Sequence, residues 1–101
     1  MAIIRIPQPI AFEWDEGNEE KIWEKHGVHT TEAEECFFDR HKRLLHDHLH
    51  TTDFENRYLL LGRSRRLRLL MIVFTIRGDS VRVISARDCT PKERRLYAKE
   101  T

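Results

Sequence analysis

The chain has 101 residues, 40% of them hydrophobic and 35% charged, with a formal net charge of +1, which is enough for one domain with a small core and too little for two. No apolar run reaches the roughly 20 residues of a membrane span, and Cys36 and Cys89 form no CxxC pair, so zinc-knuckle and dithiol redox chemistry are not indicated. The near-zero charge conceals a split of −7 over residues 1–39 (3 Lys/Arg against 10 Asp/Glu) and +8 over residues 40–101 (15 against 7); this suits a C-terminal part that meets a polyanion, and equally a domain whose charges only solubilise it.

Residues 1–11 read as an extended arm, because Pro7 and Pro9 forbid a helix. The stretch has neither a basic n-region nor a small-residue cleavage site, so no signal peptide is expected, and a cytoplasmic protein is. Residues 12–101 are expected to form a single domain. Phe12-Glu13-Trp14 alternates as a short strand would. Asp15 is a suitable N-cap for a helix over 16–26, with acidic residues in its first turns and Gly27 beyond its end. Thr31-Glu32-Ala33-Glu34 reads as a capping box opening a second helix that buries Ala33, Cys36 and Phe37 and stops near Asp39. Both cysteines are expected to be small buried hydrophobes.

Leu45, Asp47 and Leu49 alternate with His46, His48 and His50, which suggests an edge strand closed by a turn at Thr51-Thr52-Asp53. Three apolar runs follow between Arg57 and Asp88. The middle one, 67–76, is apolar on both faces and is expected to be central and covered on both sides. Arg65-Arg66 and Gly78-Asp79 are the expected turns, and Thr90-Pro91-Lys92-Glu93 starts a basic terminal helix. The fold class is therefore α+β, an antiparallel meander of about four strands with two helices before it and one after.

Arginine is unexpectedly frequent in the meander. With Thr75 opposite Arg82, Leu70 opposite Arg87, Arg63 opposite Arg68 and Leu61 opposite Leu70, the residues Arg57, Arg63, Arg68, Ser85 and Arg87 share one face and Arg82 lies on the other. Clustered guanidinium groups are held together by a shared anion, and their planar fork fits a phosphodiester. The alternative is that each arginine pairs with a local carboxylate and covers core with its stem; Arg65, Arg66 and Arg77, in turns, fit that better. Lys25-His26 either complements the dipole of the first helix or supplies charge and a proton-transfer group to a phosphate. The alternating His46, His48 and His50 lack a second ligand cluster, so no metal is assigned. Trp14, Trp23, Phe37 and Phe38 are expected in the core rather than as base-stacking platforms.

FEWDEGN at 12–18, KHGV at 25–28, EECFFD at 34–39, RYLLLGRS at 57–64 and VISARDCTPKERRLY at 83–97 together resemble the BrnT toxins of bacterial type II toxin-antitoxin modules. The resemblance runs in order from Phe12 to Tyr97. It implies a RelE-like fold, a ribonuclease that cuts RNA without a metal or other cofactor and so inhibits growth, and a small antitoxin partner of BrnA type. That partner carries a DNA-binding region, masks the toxin and represses the shared operon. By position, Lys25, His26, Arg57, Arg63, Ser85 and Arg87 match the family's residues. Lys25, His26, Arg57, Arg63 and Arg87 are expected to be catalytic, and Ser85, with Arg68 and Arg82 of the meander, to contact RNA. The implied reaction is attack of the ribose 2′-hydroxyl on the adjacent phosphate, with His26 or Glu55 as base. Two rivals remain at this stage: a nucleic-acid-binding module without chemistry, and an inactive toxin relative that acts through protein contacts.

Overall fold

Alternation and β-branching between residues 43 and 88 do produce a sheet. The computed structural model describes residues 4–49, 51–52 and 55–99. In chain order these form β1 (Ala11–Glu13), α1 (Glu16–His26), α2 (Thr30–Cys36), β2 (Arg43–His46), β3 (Tyr58–Arg63), β4 (Leu69–Arg77), β5 (Ser80–Asp88) and α3 (Pro91–Ala98). His50 and Asp53, parts of the expected edge strand and its turn, lie outside the described residues. The sheet order is β1-β5-β4-β3-β2. Strands β2 to β5 make the expected antiparallel meander, and β1 adds a fifth strand that runs parallel to β5, with Phe12 opposite Val81. No helix among the described residues is long and apolar enough to cross a membrane.

The two faces of the sheet are covered unequally. On the first, Leu60, Leu70, Ile72, Phe74, Val81 and Val83 meet Ile22 of α1 and Ala33, Cys36 and Phe37 of the α2 region in the larger core. The second carries a smaller cluster of Leu61, Leu69, Met71 and Cys89, with Tyr97 of α3 against it. Helix α2 comes close enough to β3 that a Cβ on Gly62 would stand 2.7 Å from the Cys36 carbonyl oxygen, so any side chain there would force the layers apart. Both cysteines are buried and free.

Helix α1 has the expected limits, and Gly27 closes it at φ 61°. Asp15 is its N-cap by position, yet its carboxylate accepts from Arg82 and makes no cap bond. The cap of α2 also differs from expectation: it is His29, whose backbone N–H donates to Glu32 at 3.2 Å, because Thr30 and Thr31 are already helical. Thr90 and Glu93 form the expected capping box of α3. Trp14 and Phe37 pack in the core, whereas Trp23 is 52% and Phe38 65% exposed, so these two depart from the expected burial. Trp23 stacks on His29, and Phe38 lies in the turn that continues α2, its N–H on the Glu35 carbonyl at 3.0 Å, one position on from the buried Phe37.

Two local features shift the expected register. The β3–β4 connection is Ser64–Arg68 rather than a tight turn at Arg65-Arg66: Leu67 sits at φ 66°, Ser64 exchanges backbone hydrogen bonds with Leu67 and Arg68, and Arg63 consequently faces Leu69 instead of Arg68. Leu67 is thereby 69% exposed and outside the central strand. A bulge at Val73/Phe74 leaves Ile84 as an extra residue on β5, so Met71 rather than Leu70 faces Arg87, while Thr75 faces Arg82 as expected. The two one-residue shifts cancel, so the alternation of Arg63, Ser85 and Arg87 on one face survives. The bulge also brings Arg82 into the alternation of Val73 and Thr75, in place of the expected opposite face.

A basic cleft at the end of β3

Where the chain leaves α2, Asp39 accepts from three sources. Its Oδ1 takes the His41 backbone N–H at 2.9 Å, and its Oδ2 takes the Arg63 N–H at 2.8 Å and the Tyr97 hydroxyl at 2.5 Å. One carboxylate thus joins the α2 exit, the end of β3 and the end of α3. Burial opposes its charge, but the hydrogen bonds from Tyr97, His41 and Arg63 outweigh that and hold it below its ordinary pKa. Burial and the bond to Asp39 push the Tyr97 phenol up to about 12, which keeps it protonated. The Arg63 guanidinium lies 5.5 Å from the centre of the Tyr97 ring, a cation–π contact that orients it without neutralising it.

These residues line an open cleft of about 1170 Å³. Its cations are Arg40, Lys42, Arg43, Arg63, Arg65 and Lys99, and none of them pairs with a carboxylate among the described residues. Its carboxylates are engaged: Glu34 accepts from the Trp14 indole at 2.8 Å, Glu35 from the Arg65 backbone N–H at 3.1 Å, and Asp39 as above. Six cations against three carboxylates leave the lining net positive. The His41 imidazole, the exposed Phe38 ring and the exposed Leu67 also line the cleft.

Of the site residues expected from the sequence, Arg63 alone lines this cleft. Arg87 is on the same face two strands away, about 12 Å off by sheet spacing. Its fork is filled by Glu93, with Nη1 to Oε1 at 2.8 Å and Nη2 to Oε2 at 3.0 Å. Arg57 immediately precedes β3 at its other end, about 20 Å from Arg63, and pairs with Glu55 at 3.4 Å. Glu55 also holds Arg77. Arg82 is tied to Asp15. Arg68 lies in the loop and clamps Asp88 at 2.9 Å, Glu32 at 3.4 Å and the carbonyls of His26 and Gly27 at 3.0 and 2.8 Å. Its donors are consumed in fixing α1 to the sheet. Ser85 is half-buried on β5. Lys25 and His26, at the end of α1, are outside the cleft lining; the His26 carbonyl accepts from Arg68, and the Asp88 carboxylate is stabilised by Arg68 and, more weakly, by Arg94 and His26.

Asp39, His41, Phe38 and Tyr97 were not singled out in the sequence as site residues. The basic run Arg40-His41-Lys42-Arg43 directly after a helix end was the available signal for the cleft wall. His46 and His48, expected to alternate on a strand, instead turn toward each other with Nδ1 atoms 2.9 Å apart, His48 lying beyond the end of β2. Among the described residues there is no group of three or more metal-ligating side chains.

Residues 14–93 match the family described as "Ribonuclease toxin, BrnT, of type II toxin-antitoxin system". Among solved structures, the 1.1 Å crystal structure of the Brucella abortus ribonuclease toxin BrnT is similar with a TM-score of 0.57 and 21% identity, over 76% of this chain and 92% of that one. No curated protein sequence matches.

Proposed function

The chain belongs to the BrnT family of ribonuclease toxins of type II toxin-antitoxin systems, and from that premise we propose that RNA is held and cut in the cleft around Arg63. RNA is its substrate and a cognate antitoxin its partner. The observation that carries the placement is the cleft's surplus of Lys and Arg over carboxylates, with no ion pair to those cations among the described residues, an arrangement that attracts a polyanion.

In the proposed reaction the ribose 2′-oxygen attacks the adjacent phosphorus as its proton passes to a base. The bond from phosphorus to the 5′-oxygen then breaks, leaving a cyclic phosphate and a 5′-hydroxyl that takes up a proton. Arg63 faces the phosphate oxygens, where its fixed charge stabilises the negative charge that develops. His41 is the proton-transfer group of the cleft, on a turn that Asp39 holds through its backbone. Tyr97 stays protonated and positions Arg63. Arg87 acts through α3 as a positioning residue. Glu55, committed to Arg57 and Arg77, is set aside as the base.

A second reading keeps the chemistry at Lys25-His26, and the grouping of His26, Asp88 and Arg94 beyond the loop favours it. Cleavage of a single-stranded RNA by the purified protein decides between them. His41→Ala is expected to lower the rate about 100-fold or more and His26→Ala less than threefold, with both variants folded by circular dichroism; the reverse ranking moves the site. Cutting that continues when every ribose is replaced by deoxyribose overturns the 2′-hydroxyl mechanism. The partner is proposed to be an antitoxin of BrnA type that masks the toxin and, through a DNA-binding region, represses the operon. The four glutamates of α1 lie outside the cleft and leave its cations to the RNA.

A further inference from the structure

Phe38 is a large aromatic side chain left 65% exposed on a molecule whose core had room for its neighbour Phe37. Burying it would have taken its apolar surface out of water, so its place in the cleft calls for a partner. The ring is steadied from behind by Phe12, edge to face at 6.5 Å between centroids. Leu67, on the other connection that lines the cleft, is also turned outward, and it is held there at φ 66°, a backbone region that a leucine enters only when its surroundings impose it. The same cleft is lined by Arg40, Lys42 and Arg65, all without a carboxylate partner among the described residues, and by Glu34, Glu35 and Asp39, which the cations outnumber.

An exposed aromatic ring in a cleft whose cations outnumber its carboxylates fits a nucleobase on a charged backbone better than it fits a peptide. A peptide anchor wants a contiguous apolar pocket, whereas a base offers a flat π-face and its phosphates take up the surrounding charge. We propose that Phe38 is the stacking platform for one unpaired base of the RNA, which makes single-stranded RNA the substrate class. Bases in a duplex are already stacked on their neighbours and cannot reach the ring. The proposal rests on the reading of the cleft as the RNA site, and its test is separable from that of the cleavage chemistry.

The probe is a short fully 2′-O-methylated oligoribonucleotide, which binds but has no 2′-hydroxyl to react, offered single-stranded and as a duplex of the same sequence. Phe38→Ala is expected to weaken single-strand binding about ten- to a hundredfold by fluorescence anisotropy, to leave duplex binding within twofold, and to keep the salt dependence. Phe38→Trp restores affinity, and its fluorescence is quenched on binding. Single-strand affinity unchanged in Phe38→Ala overturns the proposal, as does an equal loss on both probes or a loss confined to antitoxin binding. If Phe38→Ala shows the expected loss while His41→Ala still cuts RNA at the normal rate, the platform stands and the assignment of the base falls.

Discussion

Asp39 shows how much a single residue can organise: one carboxylate gathers a backbone N–H from its own turn, another from β3 and a phenol from α3. Tyr97→Phe keeps the ring beneath Arg63 and removes the hydroxyl donor, so the loss should be about 1 kcal/mol of stability, measured as a shift in the urea midpoint. The loss should also depend on pH in a defined way. Asp39 has a depressed folded pKa, so its contribution is present above the unfolded value of 3.8 and disappears as pH falls through the folded one. Tyr97 has a raised folded pKa, so its contribution is present below 10.0 and disappears as pH rises toward about 12. The gap between wild type and Tyr97→Phe should therefore be flat between about pH 5 and 9 and close on both sides; a gap that ignores pH would show that the Tyr97–Asp39 bond contributes nothing.

At the scale of elements, α3 is the one whose footing is least secure. It has eight residues, none fully buried, and a helix so short does not hold itself. Its first turn is fixed by the Thr90–Glu93 box and the Arg87–Glu93 fork, and its last by Tyr97, whose carbonyl also accepts from Arg43. The fork keeps Glu93 charged below its ordinary pKa, with Arg87 the largest cause. Removing Arg87 should thus loosen α3 and, through Tyr97, misplace Arg63. Hydrogen exchange tests this: in Arg87→Ala the α3 amides should exchange about five- to thirtyfold faster, corresponding to about 1–2 kcal/mol for a charge-assisted pair, while β3 to β5 stay protected. Unchanged α3 protection together with lost RNA binding would return Arg87 to the role of a direct phosphate ligand.

At the scale of the whole molecule, part of the charge split visible in the chain becomes a geometric one: the glutamates of α1 lie outside the cleft, whose cations outnumber Glu34, Glu35 and Asp39 and have no ion pair among the described residues. Binding of the 2′-O-methyl probe should weaken steeply with salt, and Arg65→Ala should lower the slope of log K against log salt by about 0.7, the value for one phosphate contact on a single strand. Glu20→Gln on α1 should leave that slope alone; if it changes as much as in Arg65→Ala, binding follows net charge and not the cleft. The sequence by itself determined the α+β class, the limits of α1, the Thr90–Glu93 cap, the meander and the family, because capping, alternation and turn chemistry act over a few residues. It also pointed to Arg63. Register was not legible, since it depends on a left-handed Leu67 and an extra Ile84 that pairing across the sheet imposes. Nor was the distribution of the arginines: Arg57, Arg68, Arg82 and Arg87 each found a carboxylate, two of them across more than 15 residues of chain. The cleft itself joins Asp39 to Arg63 across 24 residues and to Tyr97 across 58. Only tertiary structure decided which cations stay free, because a charge is left unpaired by what packs around it and not by its neighbours in the chain.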